Sequence, residues 1–168
     1  ESGQGAPQVS TEELRAVLRQ GEALVLDVRL PREYHLGHVP GAFGLEAEGP
    51  QAAVTTARRL LRMDRTRPLV LYGEGINSQE TTRAASALML EGFVNLRRYH
   101  LGMAMWQALG EVTETDSEGV AMAWRERSAA IRQALYEDVA RRAGVISGEH
   151  GIGLVKKEFL LMNLGPAH

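Results

Sequence analysis

No cysteine occurs anywhere in this 168-residue chain, which removes disulfides, thiolate metal sites and thiol redox chemistry together. Lysine is nearly absent as well. Of 19 basic residues only Lys156 and Lys157 are lysine, and both lie near the end of the chain. Positive charge is not in excess either: the formal net charge is −2, which gives no electrostatic footprint for nucleic acid. No window approaches the roughly 20 consecutive apolar residues that a bilayer-crossing helix needs, so no membrane span is expected.

What is present, 44% hydrophobic and 24% charged residues, is the balance of a soluble globular protein. At this length the chain can build one ordinary domain, or a smaller one with an appendage. The polar opening Ser2-Gly3-Gln4-Gly5-Ala6-Pro7, with no initiator Met, fits a processed export product or a trimmed chain equally well. A cytoplasmic and an exported, periplasmic setting therefore both stay open.

Periodicity sets the coarse path. Ser10 followed by Glu13 has capping-box spacing, and Leu14, Val17 and Leu18 then share one helical face. Strands at 24–28, 68–72 and 94–99 alternate with helices at about 51–63 and 79–91, and a short helix near 103–109 follows. That order predicts an α/β fold, a mostly parallel sheet with helices on both faces.

Chemistry enters with Val25-Leu26-Asp27-Val28-Arg29, an apolar strand ending in charge, then Glu33-Tyr34 and Gly37-His38-Val39-Pro40-Gly41-Ala42. The strand delivers Asp27 and Arg29 to its carboxyl end, where open α/β sheets build their sites. This run resembles the first half of a rhodanese-like domain. A second block, from Pro68-Leu69-Val70-Leu71-Tyr72 through Gly92-Phe93 to Met105-Trp106, extends the resemblance over about residues 8 to 112. One branch of the family carries Tyr-Cys-x-Gly-x-x-Cys-x-x-Ser-x-x-Ala-Ala. Here the frame reads Tyr72-Gly73-x-Gly75-x-x-Ser78-x-x-Thr81-x-x-Ala84-Ala85, so Gly73 stands at the nucleophile and Ser78 at the second cysteine. The later Gly-Gly-x-x-x-Trp feature has drifted to Leu101-Gly102-Met103-Ala104-Met105-Trp106.

The resemblance implies a thiolate that accepts sulfane sulfur, its pKa lowered by loop amides and a helix N-terminus. Glycine has nothing to carry sulfur, and a serine hydroxyl needs an adjacent base. Ser78 is therefore read as a helix cap in preference to a nucleophile, and His38 as a structural residue of its turn in preference to a base. The loop Gly73, Glu74, Gly75, Ile76, Asn77, Ser78, with Asp27, Arg29 and His38 in support, is expected to be the remnant of a catalytic site. Gly73 and Gly75 can leave amides free to converge, but Glu74 would repel an anion.

Beyond Gly110 the chain turns polar, and 113–127 reads as a linker between the domain at 1–112 and a distinct part at 128–168. Ile131, Leu135, Val139 and Ala143 recur at four-residue spacing and predict a helix over 128–143 that Gly144 ends. Residues Ile146-Ser147-Gly148-Glu149-His150-Gly151-Ile152-Gly153 then resemble the C-terminal motif of FAD-linked oxidases of the glycolate oxidase and D-lactate dehydrogenase type, over about 128–166. The resemblance implies that Glu149 ligates a divalent metal beside the flavin and that His150 faces the 2-hydroxy acid. One carboxylate and one histidine do not complete a metal site, and no earlier segment resembles the flavin-binding domain. Glu149 and His150 are thus read as a polar turn, and no cofactor or metal is expected.

Three functions fit. The first is a catalytically inactive rhodanese-like module that binds or regulates through a protein partner or a second copy of itself. The second is a component or fragment of an FAD-linked 2-hydroxy-acid oxidase system. The third is a sulfurtransferase whose cysteines were removed by engineering.

Overall fold

The computed structural model describes residues 6–141 and divides at Ala121 into two compact units. In the first unit α1 (Thr11–Gln20) leads to β1 (Leu24–Asp27), α2 (Pro31–Leu36) and α3 (Pro50–Leu60). β2 (Leu69–Tyr72), α4 (Gln79–Leu90), β3 (Leu96–Tyr99) and α5 (Gly102–Ala108) follow. The sheet is parallel in the order β1-β2-β3, with Asp27 level with Tyr72 and Tyr72 level with Tyr99. Single bridges extend it at both edges, Phe43 beside Leu26 and Gln8 beside Arg98. The α/β architecture is the expected one.

A strand buried on both faces reads as a continuous apolar run, and Leu69-Val70-Leu71-Tyr72 is wholly buried. Its alternation divides the core in two. Leu69 and Leu71, with Leu26 and Leu96, pack under Ala53, Val54 and Ala57 of α3 and Ala84, Ala85 and Leu88 of α4. Val70 and Tyr72, with Val25 and Tyr99, pack under Leu14 and Val17 of α1 and Met103 and Trp106 of α5. Small residues on α3 and α4 let those helices lie close to the sheet. Among the described residues no helix is long and apolar enough to cross a membrane.

The capping box forms as its spacing predicts: Glu13 N–H donates to Ser10 Oγ (3.1 Å) and Ser10 N–H to Glu13 Oε2 (2.6 Å). Two elements differ from expectation. Residues 31–36, which carry no helical apolar period, form α2: Pro31 is suited to a first helical position, and Glu33 Oε2 accepts from Leu30 N–H (3.0 Å). α6 (Ser117–Arg141) begins well before the expected start at 128, so most of the stretch read as a linker is helical. The cause is Asp116, whose Oδ1 accepts from Gly119 N–H (2.9 Å) and whose carbonyl accepts from Val120 N–H (3.0 Å), an N-cap inside a sequence polar enough to pass for a loop. In the second unit α6 exposes Trp124 and Ile131. The expected helix end at Gly144 and the Glu149-His150 motif lie outside the described residues.

Candidate functional site

The three parallel strands end at one edge, and the loop 73–78 leaves β2 there. Asp27, fully buried, accepts from Arg29 through Oδ1 (Nε, 3.0 Å) and Oδ2 (Nη2, 2.7 Å). Tyr72 Oη donates to Asp27 Oδ2 (2.7 Å) and accepts from Val39 N–H (3.1 Å). Arg29 also donates to the Gly37 carbonyl (2.7 Å), and its Nη1 lies 3.5 Å from Glu74 Oε2. Burial opposes the charge on Arg29, but its hydrogen bonds to Asp27 and the Asp27 charge outweigh that and raise its pKa. Burial first, then the Asp27 carboxylate, also pushes the Tyr72 hydroxyl up, so it stays a donor. A buried pair with both partners hydrogen-bonded holds the loop's base in one place.

The loop itself is tied down through its carbonyls. Gly73 O accepts from Met103 N–H and Glu74 O from Ala104 N–H, both at 2.9 Å, while Gly75 O accepts from Ser78 N–H at 3.0 Å. The first turn of α5 therefore buttresses the loop. Gly102 makes this approach possible: it has φ +65°, and a Cβ there would stand 2.5 Å from Gly75 N and 2.6 Å from Glu74 O. Drift of the surrounding motif has left the one glycine that geometry demands. Gly75 is different, since a Cβ on it would meet nothing closer than 3.8 Å.

Ser78 is the N-cap of α4, its Oγ accepting from Thr81 N–H (3.3 Å) and lying 2.8 Å from Thr81 Oγ1. Both hydroxyls turn back over Gly73. A Cβ on residue 73 would overlap Ser78 Oγ and Thr81 Oγ1 and come within 3.0 Å of Ser78 Cβ. The volume in which a nucleophilic side chain would start is filled by the cap of the next helix. Beside it lies a cavity of about 230 Å³ lined by Arg29, Leu30, Glu33, Glu74 and Glu80, and a shallower one of about 360 Å³ runs past Ile76 and Asn77. Ile76 is exposed at the loop tip.

Of the residues singled out from sequence, Asp27, Arg29 and Glu74 meet in one network with the loop. His38 stands elsewhere: its Nδ1 lies 2.8 Å from the Tyr34 carbonyl, its ring stacks on Tyr34 at 3.9 Å, and its Nε2 faces Glu114. Sequence reasoning missed Tyr72 as the second ligand of Asp27, Thr81 as the partner of Ser78, and Gly102 as the seat of the loop. Tyr72 was within reach, because a polar aromatic at the end of a fully buried strand needs a hydrogen-bond partner.

Among the described residues no group of three or more His, Asp or Glu could hold a metal ion. The C-terminal domain of FAD linked oxidases matches residues 115–168. A solution structure of the rhodanese-like domain of the Anabaena sp. Alr3790 protein is 29% identical, aligning 68% of this chain with 83% of that one at a TM-score of 0.56. The human single domain sulfurtransferase TSTD1 is 25% identical over 62% of this chain and 97% of its own, with a TM-score of 0.51. The BH2092 protein of Bacillus halodurans, 21% identical over 66% and 77% of the two chains, shares the fold at a TM-score of 0.57. The family described as the rhodanese-like domain matches residues 10–109, more than half of the 168 residues, and this chain belongs to that family.

Proposed function

We propose that this chain is a non-catalytic rhodanese-like domain, used as a binding or regulatory module. The observation that carries the reading is the filling of the nucleophile's place: residue 73 is glycine, and Ser78 and Thr81 hydroxyls occupy the volume above it. No thiol exists in the chain to take a sulfane sulfur. The Ser78 hydroxyl is engaged with the Thr81 amide and hydroxyl, and its other neighbour, Glu80 Oε2 at 3.1 Å, belongs to an exposed side chain. His38, the base nearest it in the motif, is turned instead to Tyr34 and Glu114. The test is sulfur transfer from thiosulfate to cyanide by the purified chain. No turnover above a heat-killed control is expected, and turnover that persists through further purification would overturn the reading.

The match of residues 115–168 favours a second reading, a component of an FAD-linked 2-hydroxy-acid oxidase system, in which Glu149 and His150 would complete a site on a partner that carries the flavin. A yellow chromophore that stays with the chain, or with a co-purifying partner, through gel filtration would support it. Alone, the chain is expected to bind no FAD.

A further inference from the structure

At the amino ends of the strands, opposite the loop 73–78, the chain concentrates its arginine. Arg58, Arg59, Arg62, Arg65 and Arg67 fall within residues 58–67, and Asp64 is the one acid among them. Arg58 pairs with Glu91 at the end of α4, and Arg65 Nη2 lies 4.0 Å from the same carboxylate. Arg59 Nη2 lies 2.9 Å from Glu46 Oε1. Asp64 Oδ1 accepts from Thr66 N–H (3.0 Å) and from the Thr66 hydroxyl (2.7 Å). Among the described residues Arg62 and Arg67 have no salt bridge, and both are exposed. Val94 N–H donates to the Arg65 carbonyl (3.3 Å), and a Cβ on Gly92 would meet Arg65 Cδ at 3.4 Å. Residues 58–67 and 89–95 therefore form one surface, on which Met63 (53% exposed), Leu90 (89%) and Val94 (77%) stand out to solvent.

The backbone of this surface is held in a conformation that its side chains oppose. α3 ends in a Schellman turn, in which Met63 N–H donates to the Arg58 carbonyl (3.0 Å) and Arg62 N–H to the Arg59 carbonyl (3.4 Å). The residue just past the cap in such a turn is left-handed and is usually glycine. α4 and α5 follow that rule with Gly92 (φ +88°) and Gly110 (φ +72°). α3 instead has Arg62 at φ +50°, followed by Met63 at φ +66°, and among the described residues these are the only two non-glycine residues with positive φ. Packing does not offset the strain, because both side chains are exposed. Strain kept where the fold gains nothing from it points to a use for the side chains themselves. The helix dipole accounts for Arg58 and Arg59 in the last turn of α3, but it requires neither Arg67 nor the three exposed apolar side chains.

We propose that residues 58–67 and 89–95 form a docking surface for an acidic peptide segment of a partner protein. The planar guanidinium matches a carboxylate with two parallel hydrogen bonds, and Arg62 and Arg67 are the two of the five that no carboxylate of the described residues engages in a salt bridge. Single carboxylates of the partner would pair with them, while apolar side chains between those carboxylates would cover Met63, Leu90 and Val94. A phosphate backbone fits less well. Its charge is continuous, whereas Glu46, Asp64 and Glu91 stand among the arginines and would repel it, and it has nothing to place on the apolar side chains. This surface lies at the other end of the strands from residue 73, so it is independent of the non-catalytic reading.

The test is titration of the full chain with a short fluorescein-labelled peptide of repeated Glu-Glu-Leu, followed by fluorescence anisotropy, with the Gln-Gln-Leu peptide as control. The acidic peptide should bind, and the control at least about tenfold more weakly. Amide shifts in the NMR spectrum should fall in 58–67 and 89–95 and not in 73–78. Arg62→Gly is the decisive variant. It should weaken binding by at least about tenfold while leaving the urea midpoint equal to the parent's or higher, because glycine suits the left-handed position; a residue kept for the fold alone would move stability and not binding. Arg67→Gln should weaken binding without changing the midpoint. Failure of the acidic peptide to bind, equal binding by the control, or unchanged affinity in Arg62→Gly would overturn the proposal. So would tighter binding to phosphatidylserine vesicles or to a single-stranded DNA oligonucleotide than to the peptide.

Discussion

Gly73→Cys would put a thiol back at the family's nucleophile position, and the structure predicts that this change alone will fail. Sequence reasoning places such a thiol over convergent amides at a helix N-terminus, where its pKa would fall below the free value of about 8.5. The space is already taken. A Cβ at 73 overlaps Ser78 Oγ and Thr81 Oγ1 and comes within 3.0 Å of Ser78 Cβ. Either the Ser78 hydroxyl rotates off the Thr81 amide and α4 loses its cap, at about 0.5–2 kcal/mol, or the loop shifts to relieve overpacking worth about 1–3 kcal/mol. Gly73→Cys should therefore be less stable than the parent by about 2 kcal/mol.

Relief is specific. Adding Ser78→Gly removes the blocking oxygen and Cβ while keeping a residue tolerated at N-caps, and Thr81→Ala removes the second oxygen. The triple variant should lose little stability relative to Ser78→Gly/Thr81→Ala, and its thiol should alkylate quickly near neutral pH. Urea unfolding gives the first quantity, and iodoacetamide rates against pH give the second. If Gly73→Cys alone is as stable as the parent and titrates below about 8.5, the volume above residue 73 is not filled as described, and the main support for a non-catalytic domain is lost.

Asp27→Asn strips the partner charge from buried Arg29 and should cost about 3–5 kcal/mol, whereas Tyr72→Phe, which leaves Val39 N–H and one Asp27 oxygen short of a partner, should cost about 1–3 kcal/mol; urea unfolding ranks the two. Gly102→Ala and Gly110→Ala share a positive φ, +65° and +72°, but only the first drives a methyl into loop backbone. Gly110→Ala should show the conformational cost alone, about 1 kcal/mol, and Gly102→Ala distinctly more, with loss of amide protection at Met103 and Ala104. Ser10→Ala should cost about 1 kcal/mol at pH 7. Bonds from the Ser10 backbone and then its hydroxyl hold the Glu13 carboxyl below its usual range, so Glu13 stabilises above its ordinary pKa and ceases to as pH falls through the lowered one; the penalty measured by urea unfolding should shrink toward pH 3.

The sequence showed most clearly the features set by near neighbours in the chain. The Ser10–Glu13 box, the buried run Leu69-Val70-Leu71-Tyr72 and the helix that begins after Ser78 all follow from residues within a few positions of one another, and the structure contains each of them. α2 and the early start of α6 were not visible, because both depend on single capping contacts, Glu33 to Leu30 and Asp116 to Gly119, in segments with no apolar period. Gly102 was judged by the motif around it, when its reason for being glycine is the backbone of residues 74 and 75, distant in sequence.

The loop shows why reading substitutions one at a time misleads. Gly73 and Ser78 look like two independent losses, a nucleophile deleted and a second thiol replaced by its oxygen analogue. In three dimensions they are one change. The serine that caps α4 leans over residue 73 together with Thr81, and that packing requires the absence of a side chain below it. A cysteine at 73 and this Ser78–Thr81 arrangement exclude each other on steric grounds. Glu74, turned toward Arg29 at the same edge, adds negative charge where an anionic donor would have to approach. The loop is held at the strand ends by α5 from behind and by its own helix cap from above.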